Sequence, residues 1–186
     1  MLTLIMPHTP EWVAARKSHI TATDVARIMA GGEARVVYEE KIGGIEPFAG
    51  NEYTAVGTIM EKPILDVYAL REEGCQLEYP LPLAIDCDCP RLAASPDAQR
   101  LDKPIGVEAK WSISPALAAE IGDEDSDNLP QRWLWQALAQ MACMPEWEVV
   151  DFALLHFGKP KRFRVVRDDA RVQVCRECAE WMAKCV

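Results

Sequence analysis

The chain has no apolar run of membrane length, no leader with a basic flank and no paired cysteine pattern. A spanning helix needs about 20 consecutive apolar residues, and none is present. Residues 1–6 are apolar but too few, and no positive charge precedes them. Seven cysteines are an odd set for 186 residues and do not read as a secreted disulfide framework. A reducing cytoplasm, with no membrane attachment, is the expected setting. Positive charge is also scarce: 20 Lys and Arg face 29 Asp and Glu, a net charge of −9. That excludes coating nucleic acid by bulk attraction and leaves open a local grip on it.

Several site chemistries are missing as well. There is no GxxxxGK[ST] for nucleotide phosphates and no HExxH. His8, His19 and His156 lack zinc-ligand spacing. Asp123, Asp125 and Asp127 mimic the start of a calcium loop, but Asn128 stands where its glycine belongs and Leu134 where its last glutamate belongs.

What remains is a composition with nearly half its residues apolar and a quarter charged, the balance of one globular domain over residues 1–186. Residues 21–30 predict a helix. Thr21 caps it, Asp24 completes a capping box, Gly31 and Gly32 stop it, and Val25, Ile28 and Met29 form its buried stripe. Residues 32–51 read as irregular, with a helical piece near 38–41. A second helix is expected over 57–72, kinked or started near Pro63. Residues 76–83, 84–94 and 105–111 read as strands. A helix follows over 130–143 with Pro130 in its first turn and Trp133, Ala137 and Met141 on one stripe. Residues 149–157 and 162–166 form a hairpin around Gly158, and 169–185 a closing helix. This order predicts an α/β fold, a mixed central sheet flanked by helices.

The segment 92–111, LAASPDAQRLDKPIGVEAKW, carries the chemistry. Asp97 precedes a bend. Glu108 and Lys110 lie two apart in a short strand and so share a face, with Val107 and Ala109 on the other. Two carboxylates ~4 Å apart repel by ~4 kcal/mol at an effective dielectric of about 20, which a cation or a shared proton must relieve. Acids that hold a hard cation beside a lysine are the layout of a magnesium-dependent phosphodiesterase. Glu61, in GTIMEKP, is a third candidate acid, and Gln136 sits between apolar neighbours as if facing a polar pocket. Thr23 falls in the first turn of a helix, where free N–H groups favour an anion; Arg16 upstream supplies a guanidinium fork.

Arg16, ITATD (20–24), GTIME (57–61), ASPDA (94–98), GVEAK (106–110) and WQALAQMA (135–142) occur in an order that resembles the YqaJ viral recombinase family, to which phage lambda exonuclease belongs. The resemblance spans residues 12–167 and implies the PD-(D/E)xK restriction-endonuclease-like core. It implies a magnesium-dependent (or manganese-dependent) 5′→3′ exonuclease on linear double-stranded DNA, serving phage-type recombination in the host cytoplasm. It further implies that Asp97 and Glu108 bind metal with the carbonyl of Ala109, and that Glu61 binds it directly or through water. Lys110 would orient or deprotonate the attacking water and Gln136 would position the site. Arg16 and the turn at Thr21 and Thr23 would hold a 5′-phosphate. Implied partners are DNA ends, a single-strand annealing protein and other copies of the chain in a trimeric ring. Three alternatives stand beside this reading. An endonuclease of the superfamily keeps the acids. An iron–sulfur exonuclease would use Cys175, Cys178 and Cys185, but lacks the upstream fourth cysteine. A non-cutting module would hold DNA ends. The basic residues Lys159, Lys161, Arg162, Arg164 and Arg167 are either a DNA patch or a solvated strand face.

Overall fold

Thr9 and Pro10 open the first element. Thr9 accepts a hydrogen bond from the N–H of Trp12, and Pro10 occupies the first helical position of α1 (Pro10–Ser18), where its missing donor costs nothing. The computed structural model describes residues 4–46 and 50–186. Sequence reading passes over α1, although the Thr-Pro-Glu start is a helix signal. The two-residue strand β1 (Ile20–Thr21) leads into α2 (Ala22–Gly31). The expected capping box of Thr21 and Asp24 is present, and Gly32 closes α2 at φ 65°. Next comes α3 (Ala34–Lys41), longer than the piece expected near 38–41.

The second expected helix starts earlier than 57. It is α4 (Glu52–Arg71), capped by Asn51 with Thr54 as its partner. Pro63 lies inside it. The proline leaves the carbonyl of Ile59 without a helical donor, and Ile59 is well exposed, so water can serve that carbonyl.

The run 76–94 forms less strand than expected. Only β2 (Leu77–Glu78), β3 (Ala84–Ile85) and β4 (Leu92–Ala94) are paired. Asp86 turns the chain back, accepting from the N–H of Asp88 at 3.0 Å and donating its own N–H to Leu92. The expected single strand over 84–94 is therefore a small hairpin, β3 against β4. With β1 parallel to β4 it makes a three-stranded sheet.

The central sheet has five strands in the order β2-β5-β6-β7-β8, with β5 (Ala98–Arg100), β6 (Ile105–Ser112), β7 (Val149–His156) and β8 (Lys159–Val166). Only β6 and β7 run parallel. The crossover between them carries the short α5 (Leu117–Glu120) and α6 (Gln131–Cys143). The β7–β8 turn is Phe157–Gly158, both with positive φ, the backbone pair of a tight hairpin. The last helix, α7 (Asp169–Cys185), is capped by Asp168. Mixed α/β architecture thus holds as expected, with the small second sheet as an addition. Among the described residues no helix is long and apolar enough to cross a membrane.

Two apolar layers clamp the central sheet. On one face α6 packs over β7 and β8, with Trp133 stacked on Phe152 at 5.4 Å, and α7 packs against α6. On the other, Ile64, Leu65 and Tyr68 of α4 cover Ala98, Val107, Ala109 and Ala153. The hydroxyl of Tyr68 donates to the fully buried Asp151 at 2.7 Å, and Arg164 forks onto the same carboxylate. This polar pin fixes the rotation of α4.

Three of the five basic residues in and just after β8 are taken by ion pairs within the chain. Arg162 pairs with Glu72 and Asp125, Arg164 with Asp151, and Arg167 with Asp169. The acidic loop supplies part of this. Asp125 donates its N–H to Arg162 O, Ser126 O accepts from the N–H of Arg164, and Glu124 pairs with Arg71.

Candidate active site

Strand β5 ends at Ala98, opposite Val107. Beyond that point the β5-side edge of β6 has no strand partner, and Asp97 fills the gap: its Oδ2 accepts the N–H of Ala109 at 2.8 Å. A residue's N–H and C=O leave a strand on the same edge, so the Ala109 carbonyl lies on this open edge too. The site is built around that gap.

Glu108 and Lys110 share a face of β6, as their spacing requires. Lys110 Nζ donates to Glu108 Oε1 at 2.7 Å and to Gln136 Oε1 at 3.3 Å, and stands 5.9 Å from the ring centre of Phe152. Gln136 reaches down from α6 and donates to the same Glu108 oxygen at 2.5 Å. Gln140, one turn further along α6, donates to Glu108 Oε2 at 2.6 Å. Sequence reading singled out Gln136 and missed Gln140, although the i, i+4 spacing puts both on one helix face. Val107 and Ala109 point to the α4 side.

Glu61 approaches from that side, half-buried on α4. Burial pushes its carboxyl up from the ordinary range; the nearby charge of His8 lowers it, Glu108 raises it and Lys110 lowers it. Asp97 is raised further. Desolvation is the main cause, the negative charge of Glu108 adds to it, Lys110 opposes it, Glu61 adds again, and the Ala109 N–H opposes. The acids burden one another in the way clustered carboxylates must. Glu61, Ala109 and Lys110 border a cleft of about 660 Å³ with Thr54, Gly57 and Thr58 of α4.

These groups suit a hard divalent cation. They offer carboxylate and carbonyl oxygens, and the raised carboxyl pKa values of Asp97 and Glu61 mark a place short of positive charge. The side chains do not yet converge on a point. Among the described residues, the only trio of Asp, Glu, Cys or His donor atoms within 4.8 Å of one another is Asp86, Cys87 and Asp88. That trio is a turn whose Asp86 and Asp88 both pair with Arg176.

The other expected residues gather in a second cleft, of about 650 Å³, bordered by Trp12, Arg16, Lys17, Thr21, Thr23 and Lys41. Arg16 lies over the ring of Trp12, 4.6 Å from its centre, and forms no ion pair among the described residues. Burial lowers its pKa, while Asp24 and Glu108 raise it; the cation therefore senses the acid cluster. Trp12 also ties this cleft to the acids, since its Nε1 donates to Ser95 Oγ at 2.7 Å, two residues from Asp97. The two threonines differ. Thr21 is buried, and its hydroxyl donates to Asp24 Oδ2 and accepts from the Asp24 N–H. Thr23 is exposed. Lys41 neutralises Asp24 at 2.8 Å and also donates to the carbonyls of Arg16 and His19. Trp12 and Lys41 gave no sign in the sequence, because each acts through a fold contact far along the chain.

The cysteines form no cluster. Cys175 and Cys178 are buried on the core side of α7, where desolvation pushes their thiols up to about 12 and about 11, while Cys185 is exposed. A third cavity, of about 170 Å³, lies behind α4 against Leu154 and Pro160 and touches none of the cleft acids.

A family model described as the YqaJ-like viral recombinase domain matches residues 11–145. No curated protein matches the chain. Among solved structures, the alkaline exonuclease LHK-Exo from Laribacter hongkongensis is similar over 95% of this chain and 93% of its own, with a TM-score of 0.71 and 19% identity. Its complex with dAMP gives a TM-score of 0.72 and 22% identity over 95% and 92%. A phage related exonuclease from Haemophilus somnus 129PT gives 0.70 and 10% identity over 90% and 92%.

Proposed function

The chain belongs to the YqaJ-like viral recombinase domain family, and from that membership and the acids gathered around the open edge of β6 we propose that it is a divalent-metal-dependent nuclease. It degrades linear duplex DNA from the 5′ end and leaves 3′ single-stranded tails. The observation that carries this reading is the meeting of Asp97, Glu108, Lys110 and Gln136 at the open edge of β6, with Glu61 charge-coupled to them from α4. The exonuclease names of the structural neighbours point the same way.

Magnesium or manganese would be held by Glu61, Asp97, Glu108 and the Ala109 carbonyl. Bound there, the cation would neutralise charge building on the scissile phosphate and make a water more acidic. The chain's own groups do the rest. Glu108 holds Lys110 beside the cleft, and the Lys110 ammonium orients the attacking water, whose proton passes to bulk water. Gln136 bridges the two and keeps them in register. Incubation with linear and with circular duplex DNA, with magnesium or with chelator, tests the reading. Loss of the linear form alone, and only with metal, is expected. Cutting of circles would make the enzyme an endonuclease; no cutting of either would leave a DNA-end-binding module. Metal affinity should also climb as pH rises through the raised carboxyl pKa values of Asp97 and Glu61, because both must lose a proton to bind. A metal affinity that stayed flat from acid to neutral pH would remove those two acids from the ligand set.

Arg16, with Thr23 and the turn shaped by Thr21, would hold the terminal 5′-phosphate. A terminal phosphate carries more charge than an internal one and gains most from an unpaired guanidinium. One such charge-assisted bond is worth about 1.5–3 kcal/mol, so 5′-phosphorylated ends should be resected about tenfold faster than 5′-hydroxyl ends or more. Arg16→Ala should erase most of that preference. Equal rates on both ends with the unaltered protein would remove the pocket. The tails would be handed to a single-strand annealing protein, in the cytoplasm of the host cell. Enclosure of the DNA by a trimeric ring would retain a chain of net charge −9 on its substrate; light scattering reads that assembly directly.

A further inference from the structure

Gln140 lies one turn along α6 from Gln136 and is buried to 1% exposure. Its Nε2 donates to Glu108 Oε2, the carboxylate oxygen that neither Lys110 nor Gln136 uses. Its Oε1 is the one buried side-chain oxygen or nitrogen, among the described residues, without a hydrogen-bond partner. Turning the amide over does not help, since a carbonyl oxygen would then face a carboxylate oxygen at 2.6 Å. An unpaired buried carbonyl costs stability. Methionine would occupy similar space without that cost. The amide's contribution is its donor.

We infer that Gln140 is a positioning residue that fixes the carboxylate of Glu108 for metal binding, an inference that rests on the proposed role of Glu108 as a ligand. Lys110 and Gln136 hold Oε1 from the cleft side, and Gln140 holds Oε2 from inside the protein. With only one oxygen held, the carboxylate can swing about its last bond; with both held it cannot. Gln140 differs from Gln136 in touching neither Lys110 nor the open cleft, and substrate cannot reach it. Partners that orient a ligand in this way usually change metal affinity by 10–100-fold when removed.

Calorimetric titration of the full chain with manganese, without DNA, tests this on Gln140→Met, with Gln140→Leu as a second variant and Glu108→Gln as the control. Gln140→Met should bind manganese roughly 10–100-fold more weakly. Its melting temperature in chelator should change little, because the donor lost to Glu108 Oε2 is offset by removal of the unpaired Gln140 carbonyl. Its cleavage rate should recover at saturating manganese, with the KM for DNA unchanged. Should Gln140→Met fail to fold, Gln140→Leu carries the same expectation. Manganese affinity equal to that of the unaltered protein in a folded variant, while Glu108→Gln loses binding, would overturn the role of Gln140 alone. Unchanged binding in Glu108→Gln would instead overturn the ligand reading beneath it.

Discussion

Asp97→Asn should lower DNA cleavage by roughly 10²-fold or more, as losing a positioned charge at a reacting phosphate does, while the metal-free protein should melt no lower than before. The second half follows from the sign of the pKa shift. Burial and the charge of Glu108 raise the Asp97 carboxyl well above its ordinary range. The folded chain therefore holds more protons than the unfolded chain between the ordinary pKa and the raised one. Stability falls as pH climbs through that window, and the loss stands at neutral pH and above. A neutral asparagine removes it, and its side-chain oxygen can still accept the Ala109 N–H that Asp97 holds at 2.8 Å. Lys110→Ala should cost a similar factor in rate with DNA binding kept. Lys110→Arg should not rescue it, because a planar guanidinium cannot replace an ammonium seated between Glu108 and Gln136. Wild-type rates in either Asp97→Asn or Lys110→Ala would take that residue out of the reaction. A large fall in melting temperature for Asp97→Asn would mean that the carboxylate supports the fold instead.

The second large effect lies two residues before Glu108. Gly106→Ala puts a methyl into the indole of Trp147: a Cβ at that position would sit 2.1 Å from Cζ3 and 2.3 Å from Cε3 of the ring. Trp147 is 1% exposed and anchored through Nε1 to Gln99 Oε1, so the ring has nowhere to go. Overpacking of this kind costs about 1–3 kcal/mol, and at this chain length that lowers the melting temperature by roughly 2–12 °C. Activity should fall further than the melting shift explains, because β6 must move and it carries Glu108 and Lys110. Pairing Gly106→Ala with Trp147→Leu should recover part of both losses. A melting curve unchanged by Gly106→Ala would show that the contact is slack.

Where each signal lay explains how much of this was legible in the sequence. The strand of Glu108 and Lys110, the box of Thr21 and Asp24, and α6 and α7 each depend on neighbours within a few residues, so local periodicity finds them. Gly106 stood in plain sight in GVEAK, but its reason is Trp147, 41 positions on in the numbering, and only packing supplies that. Arg16 was legible; Trp12, which stacks on it and reaches Ser95, was not. The run 84–94 misled because apolar residues on both sides of Asp86 and Asp88 mimic one strand, while the turn that splits it is made by the Asp86 side chain. The partners of the basic run could not be read from the sequence, because Glu72, Asp125 and Asp151 come from three distant segments.

The acidic loop against β8 has one more consequence. An outer strand offers a row of free backbone groups onto which another chain can add. Here the middle of that row is taken, because Asp125 and Ser126 bond the backbone of Arg162 and Arg164, and Pro160 has no N–H to offer. At the far side the sheet ends in β2, only two residues long. Both borders of the central sheet are thus poor templates for an added strand, which favours association of copies through surface side chains, set by shape and charge, over a shared central sheet.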